Sequence, residues 1–594
     1  MKKGNLDKWK NINECQNLLL FSQLVNELLF DYSIPSNRVP TLNSHYLCFD
    51  ALNAITTIDV HGVPEGTLKP IMEEFYLALQ KDPVFEKVYI KPTDYFLKYQ
   101  GEKYNISKPS EMGYKDLKKC AMAIHSRFFQ DNQYYNDIKD MIIEIIVKNE
   151  IADQKDLYRL VKSLLTELMN AGYTLRYIFE LMKRLFWNSR TCIDSANVIN
   201  DFFEAFSFEN KEYEVVCIVN KAKIKDFLSV VDDVDYVNNI DARTGTHQEK
   251  QFLKILNREA FLIQRIKALD PFAAAENYKS IMSDNFALYR LYDHGFRFDI
   301  STAKIGVYSE NTFYRVTKTV EPIEHTKKLS RTQLMEGMNQ YERVLNSVAN
   351  RRSPGDFISI LNAAKFHSNS LESNSRENQL LDLWAIFESV LNVSSSHTSD
   401  RISQVCMYIV PIVKRGYIYS LFEQLASDIK NYDNDLFQSI VEDDDDLNGI
   451  ISKVCKFVIL DNDKRERLIS SINDFPLLKE RIQYYNQELS ETKKVYDFVE
   501  KHAERVKWQV MRIYRNRNLI IHNADSMPYL GLLIENLHSY VDVFLEYSIN
   551  NLAEGHNIES MCQNLFVKEC EWHTLFRKKN RVLDESLIRF MLSV

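Results

Sequence analysis

A mainly α-helical protein is predicted, on three observations. Glycine and proline are scarce, at 15 and 13 of 594 residues, too few for a β-rich or low-complexity chain. Apolar residues recur at spacings of three and four along most of the sequence, the signature of amphipathic helices. Runs rich in β-branched residues are concentrated near the middle. The length suits two to four domains with ample core, and 45% hydrophobic with 26% charged residues is a globular balance.

The first region, 1–205, reads as mainly helical. Leu18, Leu19, Leu20, Leu24, Val25, Leu28 and Leu29 make an early apolar helix, and Tyr158 to Leu185 carries leucines at helical spacing. Tyr46-Leu47-Cys48-Phe49 and Val88-Tyr89-Ile90 are expected as short strands. Arg184-Leu185-Phe186-Trp187 is expected in the core rather than in a site. From 206 to 325 the pattern changes to a small α/β module. Tyr213-Glu214-Val215-Val216-Cys217-Ile218-Val219 is a strand by its β-branched content, followed by a helix over Ala222–Val230. Phe296–Ile300 and Lys304–Val316 read as a hairpin or a pair of strands. The third region, 326–594, is helical. Ser330 is a candidate cap for a helix to about Asn350, which ends at Arg351-Arg352-Ser353-Pro354-Gly355. Ser368–Ser375 reads as a polar linker, Glu442–Asp446 as a solvated acidic loop, and a long helix begins near Ser490 or Thr492.

Composition also bounds function. The formal net charge is −8, so contact with nucleic acid must come from local patches. Nine scattered cysteines include no Cys-x-x-Cys pair, which indicates neither a zinc site nor a disulfide framework. No run of eighteen apolar residues occurs, and Met-Lys-Lys leads into polar Gly4-Asn5-Leu6-Asp7. The expectation is a reducing, cytoplasmic chain with no membrane contact. Thr244-Gly245-Thr246 is too short for a phosphate loop and has no Gly-Lys-Ser/Thr beside it.

One stretch stands apart, Tyr514-Arg515-Asn516-Arg517-Asn518-Leu519-Ile520-Ile521-His522-Asn523. Val506, Val510 and Ile513 form an apolar stripe that Ile520, Ile521 and Ala524 continue. Arg517 interrupts that stripe, and arginine is almost never buried without a partner. Asn518 and His522 are neighbours one turn apart, and a histidine in the last turn suits proton transfer near neutral pH. Arginine holds a phosphate in fork geometry, so the set suits phosphodiester chemistry. Between Lys501 and His522 six Lys/Arg face one acid, a local formal charge of +5. Trp508, Arg512 and Arg515 share a face that could track an RNA backbone. A merely solvated charged face is the plainer alternative, and the Arg577-Lys578-Lys579-Asn580-Arg581 run is ambiguous in the same way. Upstream, Glu388 falls on the Leu381/Trp384/Leu391 stripe and is a second charge in need of a partner. It is placed either to orient Arg517 or His522 or to hold the helices in register.

Arg517-Asn518-x-x-x-His522 resembles the R-N-x(3)-H form of the HEPN-domain ribonuclease signature. The helix Glu377 to Leu391, with Trp384 and Glu388, is similar to the aromatic-x-x-x-Glu-x-x-Leu helix of the Apea-like group. The likeness covers roughly 355–555. It implies a C-terminal HEPN helical bundle that cleaves RNA without metal or cofactor, by attack of a ribose 2′-OH on the adjacent phosphate, at a site composed by two copies of the chain. By that resemblance Arg517 positions the scissile phosphate, His522 is general acid or base, and Asn518 orients them. Arg515, Glu388, Tyr514 and Arg512 bind RNA or support the site. Members of this group are found as toxic anti-phage effectors acting on RNA such as tRNA, which implies that the N-terminal half senses a phage-derived trigger protein or ligand, or restrains the nuclease. Two other readings stay open. One is a catalytically silent HEPN scaffold for RNA or protein binding, and the other is a separate activity, such as nucleotide sensing, in the 206–325 module.

Overall fold

The structure, a computed structural model, describes the chain apart from residues 30–36, 63, 101–102, 190–191, 229–233, 297, 299, 301–302, 311, 317–337, 339–341, 343–353, 374, 392–400, 442–445, 524–526, 528, 578–579 and 594. The fold is mainly α. Two compact units are present, one of Met1–Leu164, Cys192–Ala196 and Pro322–Val594, the other of Leu165–Thr191 and Asn197–Glu321. The N-terminal helices and the C-terminal bundle therefore share a unit, although the sequence reading separates 1–205 from 326–594.

In the first unit, α1 (Gln16–Leu29) is buried on nearly every side, its polar Asn17, Ser22, Gln23, Asn26 and Glu27 included. Asn43 caps α2 (Ser44–His61) by accepting from Tyr46 N at 3.0 Å. Tyr46-Leu47-Cys48-Phe49 is thus the start of a helix and not a strand. A four-residue apolar run fits either state, and the asparagine cap settles which one forms. Val88-Tyr89-Ile90 is no strand either, and Tyr89 stands fully in solvent. A hairpin forms further on, from β1 (Leu97–Gln100) and β2 (Lys103–Ile106). The helices α3 (Leu68–Lys81), α4 (Tyr114–Phe128) and α5 (Gln133–Lys148) belong to the same part.

The C-terminal part contains α6 (Pro354–Glu372), α7 (Arg376–Val390), α8 (Arg401–Arg415), α9 (Tyr417–Tyr432), α10 (Pro476–Glu488), α11 (Thr492–Asn523), α12 (Leu530–Ala553) and α13 (Ile558–Trp572). Pro354 opens α6, a position where its missing N–H costs nothing. α6 runs on to Glu372, so the linker expected from Ser368 is reduced to the few residues before Ser375, which caps α7 through Asn378 N. The helix expected from Ser330 lies outside the described residues except at Met338 and Glu342. Most of the acidic loop also lies outside them, and Asp446 caps the helix Leu447–Leu460. Leu383, Trp384 and Phe387 of α7 pack with Ile409 of α8, Val510 and Ile513 of α11, and Leu537 and Phe544 of α12 in one core. Arg401–Tyr432 is apolar enough over one window to cross a membrane, but half of that window is buried and Gly416 divides it into α8 and α9. All nine cysteines are free thiols.

The second unit is built on an antiparallel sheet ordered β4-β5-β3-β6-β7, from β3 (Lys211–Asn220), β4 (Asp235–Val237), β5 (Glu259–Ala268), β6 (Lys304–Ser309) and β7 (Thr312–Val316). Val215, Cys217 and Val219 face the helix Pro271–Arg290, while Val216 and Ile218 pack with Phe252, Phe261 and Phe313. Both faces of β3 are covered, which is why its sequence is a continuous apolar run. The hairpin of β6 and β7 needs Gly306, since a Cβ there would fall 2.6 Å from the Phe313 ring. Of the stretch expected as a strand at 296–300, residues 297 and 299 lie outside the described residues; Phe296, Phe298 and Ile300 are in no strand, and Phe296 and Ile300 enter the core. Phe186 and Trp187 are buried, as expected of core. Asp270 caps the helix Pro271–Arg290 through Phe272 N and Ala273 N, and also accepts from Thr174 N at 2.7 Å.

The loop at Thr244-Gly245-Thr246 does hold an anion, but the anion is the chain's own Glu249. Its carboxylate accepts from Arg243 N at 2.7 Å, Thr244 N at 2.9 Å, Gly245 N at 2.7 Å, Thr244 Oγ1 at 2.8 Å and Tyr308 OH at 2.9 Å. This is a backbone nest filled from within. Burial alone would raise the carboxyl, but these donors hold it down at about 2. A depressed folded-state value stabilises above the ordinary carboxyl range and loses that contribution as pH falls through it. We expect the second unit to keep on the order of 3 kcal/mol from Glu249 at neutral pH and to lose it progressively below about pH 4.5. Hydrogen exchange of β3 and β5 in the full chain, wild type against Glu249→Gln, measures this. Equal protection in both proteins at pH 7 would refute it.

Candidate nucleic-acid site on the motif helix

α11 carries four arginines, and three of them, Arg512, Arg515 and Arg517, meet carboxylates of α2, α3 and α7 in the first unit. Arg512 is buried, with its Nη2 2.5 Å from Glu74 Oε2 of α3, its Nε 3.7 Å from Asp50 Oδ2 of α2, and its Nη1 donating to Gln509 Oε1 at 2.9 Å. Arg515 donates through Nη2 to the same Asp50 oxygen at 2.7 Å. Burial and the paired acids act in opposite directions on Arg512; burial favours the neutral form, and Glu74 with Asp50 outweighs it, so the guanidinium stays charged.

These contacts correct two expectations. Arg512 does not track an RNA backbone, because it is buried with its donors turned to protein. Arg515, expected on the same RNA-tracking face, is tied to Asp50. The +5 charge counted along the helix is offset by acids that local periodicity could not reveal. Asp50 lies among the buried Leu47, Cys48 and Ala51, so an acid on an apolar helix face was its one sequence signal. The grooves along the first half of α11 are lined by Asp497, Glu500 and Glu504 as well as Lys501 and Lys507, a mixture that does not favour a polyanion.

Arg517 is the third of the series and differs from the first. It is 23% exposed, and its Nη2 lies 3.6 Å from Glu388 Oε1, a loose contact for a charge pair. Glu388 is fixed from behind. The same oxygen accepts from Trp384 Nε1 at 3.0 Å and lies 3.5 Å from Arg401 Nε. Trp384 is buried and packs its ring on Tyr514, with centroids 5.4 Å apart. Tyr514 is thus a packing residue that braces α11 against α7. Glu388, which the sequence left between two roles, lies beside Arg517 and makes no hydrogen bond or ion pair with His522 among the described residues. Arg517 Nη1 also donates to Asn518 Oδ1 at 3.1 Å, joining those two motif residues.

His522 lies in the final turn, exposed, and makes no hydrogen bond or ion pair with the described residues. Ile521 beside it is 46% exposed. The apolar stripe therefore loses its cover only at the last turn, since Ile520 still packs partly buried on the core and Ile521 does not. Ala524 lies outside the described residues. Five residues separate Arg517 from His522, which is roughly 140° around a helix. One copy of α11 therefore directs the two side chains to different sides.

No known protein family, curated protein or solved structure matches this chain.

Removal of the Arg512 side chain leaves Glu74 without its buried partner and Asp50 with Arg515 alone. Arg512→Ala is expected to destabilise the first unit by about 3–5 kcal/mol, seen as a lowered urea midpoint of the full chain. A change under about 1 kcal/mol would mean that water satisfies these acids.

Proposed function

We propose that the chain is a metal-independent endoribonuclease of HEPN type, with its site at the exposed end of α11. The observation that carries this reading is the state of the motif residues. Arg517 and Asn518 are joined and held against Glu388 at the protein surface, and His522 is open to solvent in the turn that follows. A partly exposed guanidinium with one loose carboxylate contact keeps N–H donors for a phosphate. An imidazole with no partner among the described residues can take a proton from a ribose 2′-OH or return one to the leaving oxygen. The angular separation of Arg517 from His522 fits a site completed by a second copy, where the arginine of one α11 and the histidine of the other meet on one phosphodiester. Ile521, exposed beside His522, supplies apolar surface for such a meeting.

On this reading the substrate is cellular RNA such as tRNA, and the protein is a toxic effector of anti-phage defence, acting in the cytoplasm. The N-terminal helices are its sensor or regulator. Support for that last role is physical: Asp50 of α2 holds Arg515, two residues from Arg517, so a shift of α2 bears directly on the motif helix. A second reading, a silent scaffold for RNA or protein, is favoured by the fact that Arg517 already has protein partners in Glu388 and Asn518.

One experiment separates the two. Purified protein is incubated with total RNA and with tRNA in EDTA, beside Arg517→Ala and His522→Ala, in the presence and absence of phage lysate. The expected result is cleavage leaving 2′,3′-cyclic phosphate ends, reduced about 10²-fold or more in each variant. Cleavage unaltered by both substitutions would remove the chemistry from α11. Silence of all three proteins, with equal growth of cells expressing them, would favour the scaffold.

A further inference from the structure

α6 and α12 bring together two histidines and an aspartate that the motif does not use. His367 Nε2 of α6 lies 3.0 Å from His538 Nε2 and 3.5 Å from Asp542 Oδ1, both of α12. One donor atom from each of the three residues falls within 4.8 Å of the other two. Packing holds each residue in place. His538 is buried between the core residues Leu537 and Val541, and Asp542 follows it by one helical turn on the same side. His367 adjoins Phe366, which packs on the bundle core, and its carbonyl accepts from the buried Ser370 hydroxyl at 2.8 Å.

Two imidazoles at 3.0 Å are accounted for by one shared hydrogen bond. The carboxylate is what that account leaves over. Its Oδ1 is directed at the same His367 nitrogen, and one N–H cannot serve both neighbours well. Three lone-pair donors converging on a point have a simpler common partner. Around a tetrahedral ion with bonds of about 2.0–2.1 Å, donor atoms sit about 3.3 Å apart, and the observed 3.0 and 3.5 Å lie on either side of that value.

The geometry points to a divalent transition-metal site, of the zinc class, formed by His367 Nε2, His538 Nε2 and Asp542 Oδ1, with solvent as the remaining ligand. Two imidazoles and one carboxylate suit zinc, cobalt or nickel better than magnesium or calcium, which require oxygen donors. The side chains of His367 and Asp542 are 24% and 25% exposed, which leaves an entry path and room for a water. The second oxygen of Asp542 lies 3.7 Å from His538 Nδ1, beyond hydrogen-bond reach, which leaves the carboxylate available to the ion. The ion would cross-link α6 to α12, the helix that follows the motif helix. It shares no residue with Arg517, Asn518 and His522, and it does not rest on the ribonuclease reading.

The test uses the untagged full-length protein, stripped with EDTA and desalted, then titrated with cobalt and with zinc. Expected are a saturable visible absorption of low-coordinate cobalt at one equivalent, its displacement by zinc, and a zinc-dependent rise in the thermal midpoint of roughly 2 °C or more. His367→Gln and Asp542→Asn alter partly exposed side chains and should keep the wild-type circular dichroism. Each should weaken metal binding on the order of tenfold or more. A folded wild-type protein without saturable cobalt absorption would overturn the site, and so would absorption equally strong in both variants.

Discussion

The pairing of guanidinium groups on α11 with carboxylates from elsewhere in the first unit is the constraint on which its arrangement depends. A helix carrying Arg512, Arg515 and Arg517 toward a core cannot pack until those charges are met. Glu74, Asp50 and Glu388 meet them, from α3, α2 and α7 in turn. The consequence is that N-terminal helices and C-terminal bundle form one packed body, and their shared surface is charged as well as apolar. A second buried pair, Glu27 of α1 with Arg481 of α10 at 2.7 Å, repeats the device. Such pairs rarely add net stability over a well-packed apolar contact, but breaking one is expensive. We read them as fixing which helices meet.

Along α11 the pairing relaxes from one arginine to the next. Arg512 is enclosed, Arg515 is partly open, and Arg517 is held by a single longer contact. The same helix therefore serves as a strut at its middle and exposes the motif side chains at its end. That gradient explains how a motif can sit on a core element and remain accessible, since the cover is lost at the last turn.

How much of this could be read in the sequence follows from the range of each interaction. Arg517 and Glu388 declared themselves because each breaks an apolar stripe, a signal contained in a dozen residues. Their pairing joins two such breaks. The partners of Arg512 and Arg515 were hidden, since Glu74 and Asp50 are more than four hundred residues away and no periodicity connects them. The strand expected at Tyr46–Phe49 failed for a local reason, since four apolar residues carry no period and the deciding cap, Asn43, precedes them. β3 was legible because burial on both faces writes a long β-branched run. The filled loop at Glu249 was legible only as a negative, a phosphate loop too short to be one, and the residue occupying it lay three positions beyond the glimpsed motif. His367 and His538 gave no signal alone, since an isolated histidine on a helix is commonplace.

The distance in sequence between α11 and its acids also sets a clock on synthesis. Glu74 precedes Arg512 by 438 residues. At about 5–20 residues per second, the ribosome needs roughly 20–90 s to make the second partner after the first. During that interval α2 and α3 carry carboxylates with no guanidinium to receive them, so their side of the unit must stay hydrated and unpacked. The motif helix is made late, after both of the acids that meet its middle.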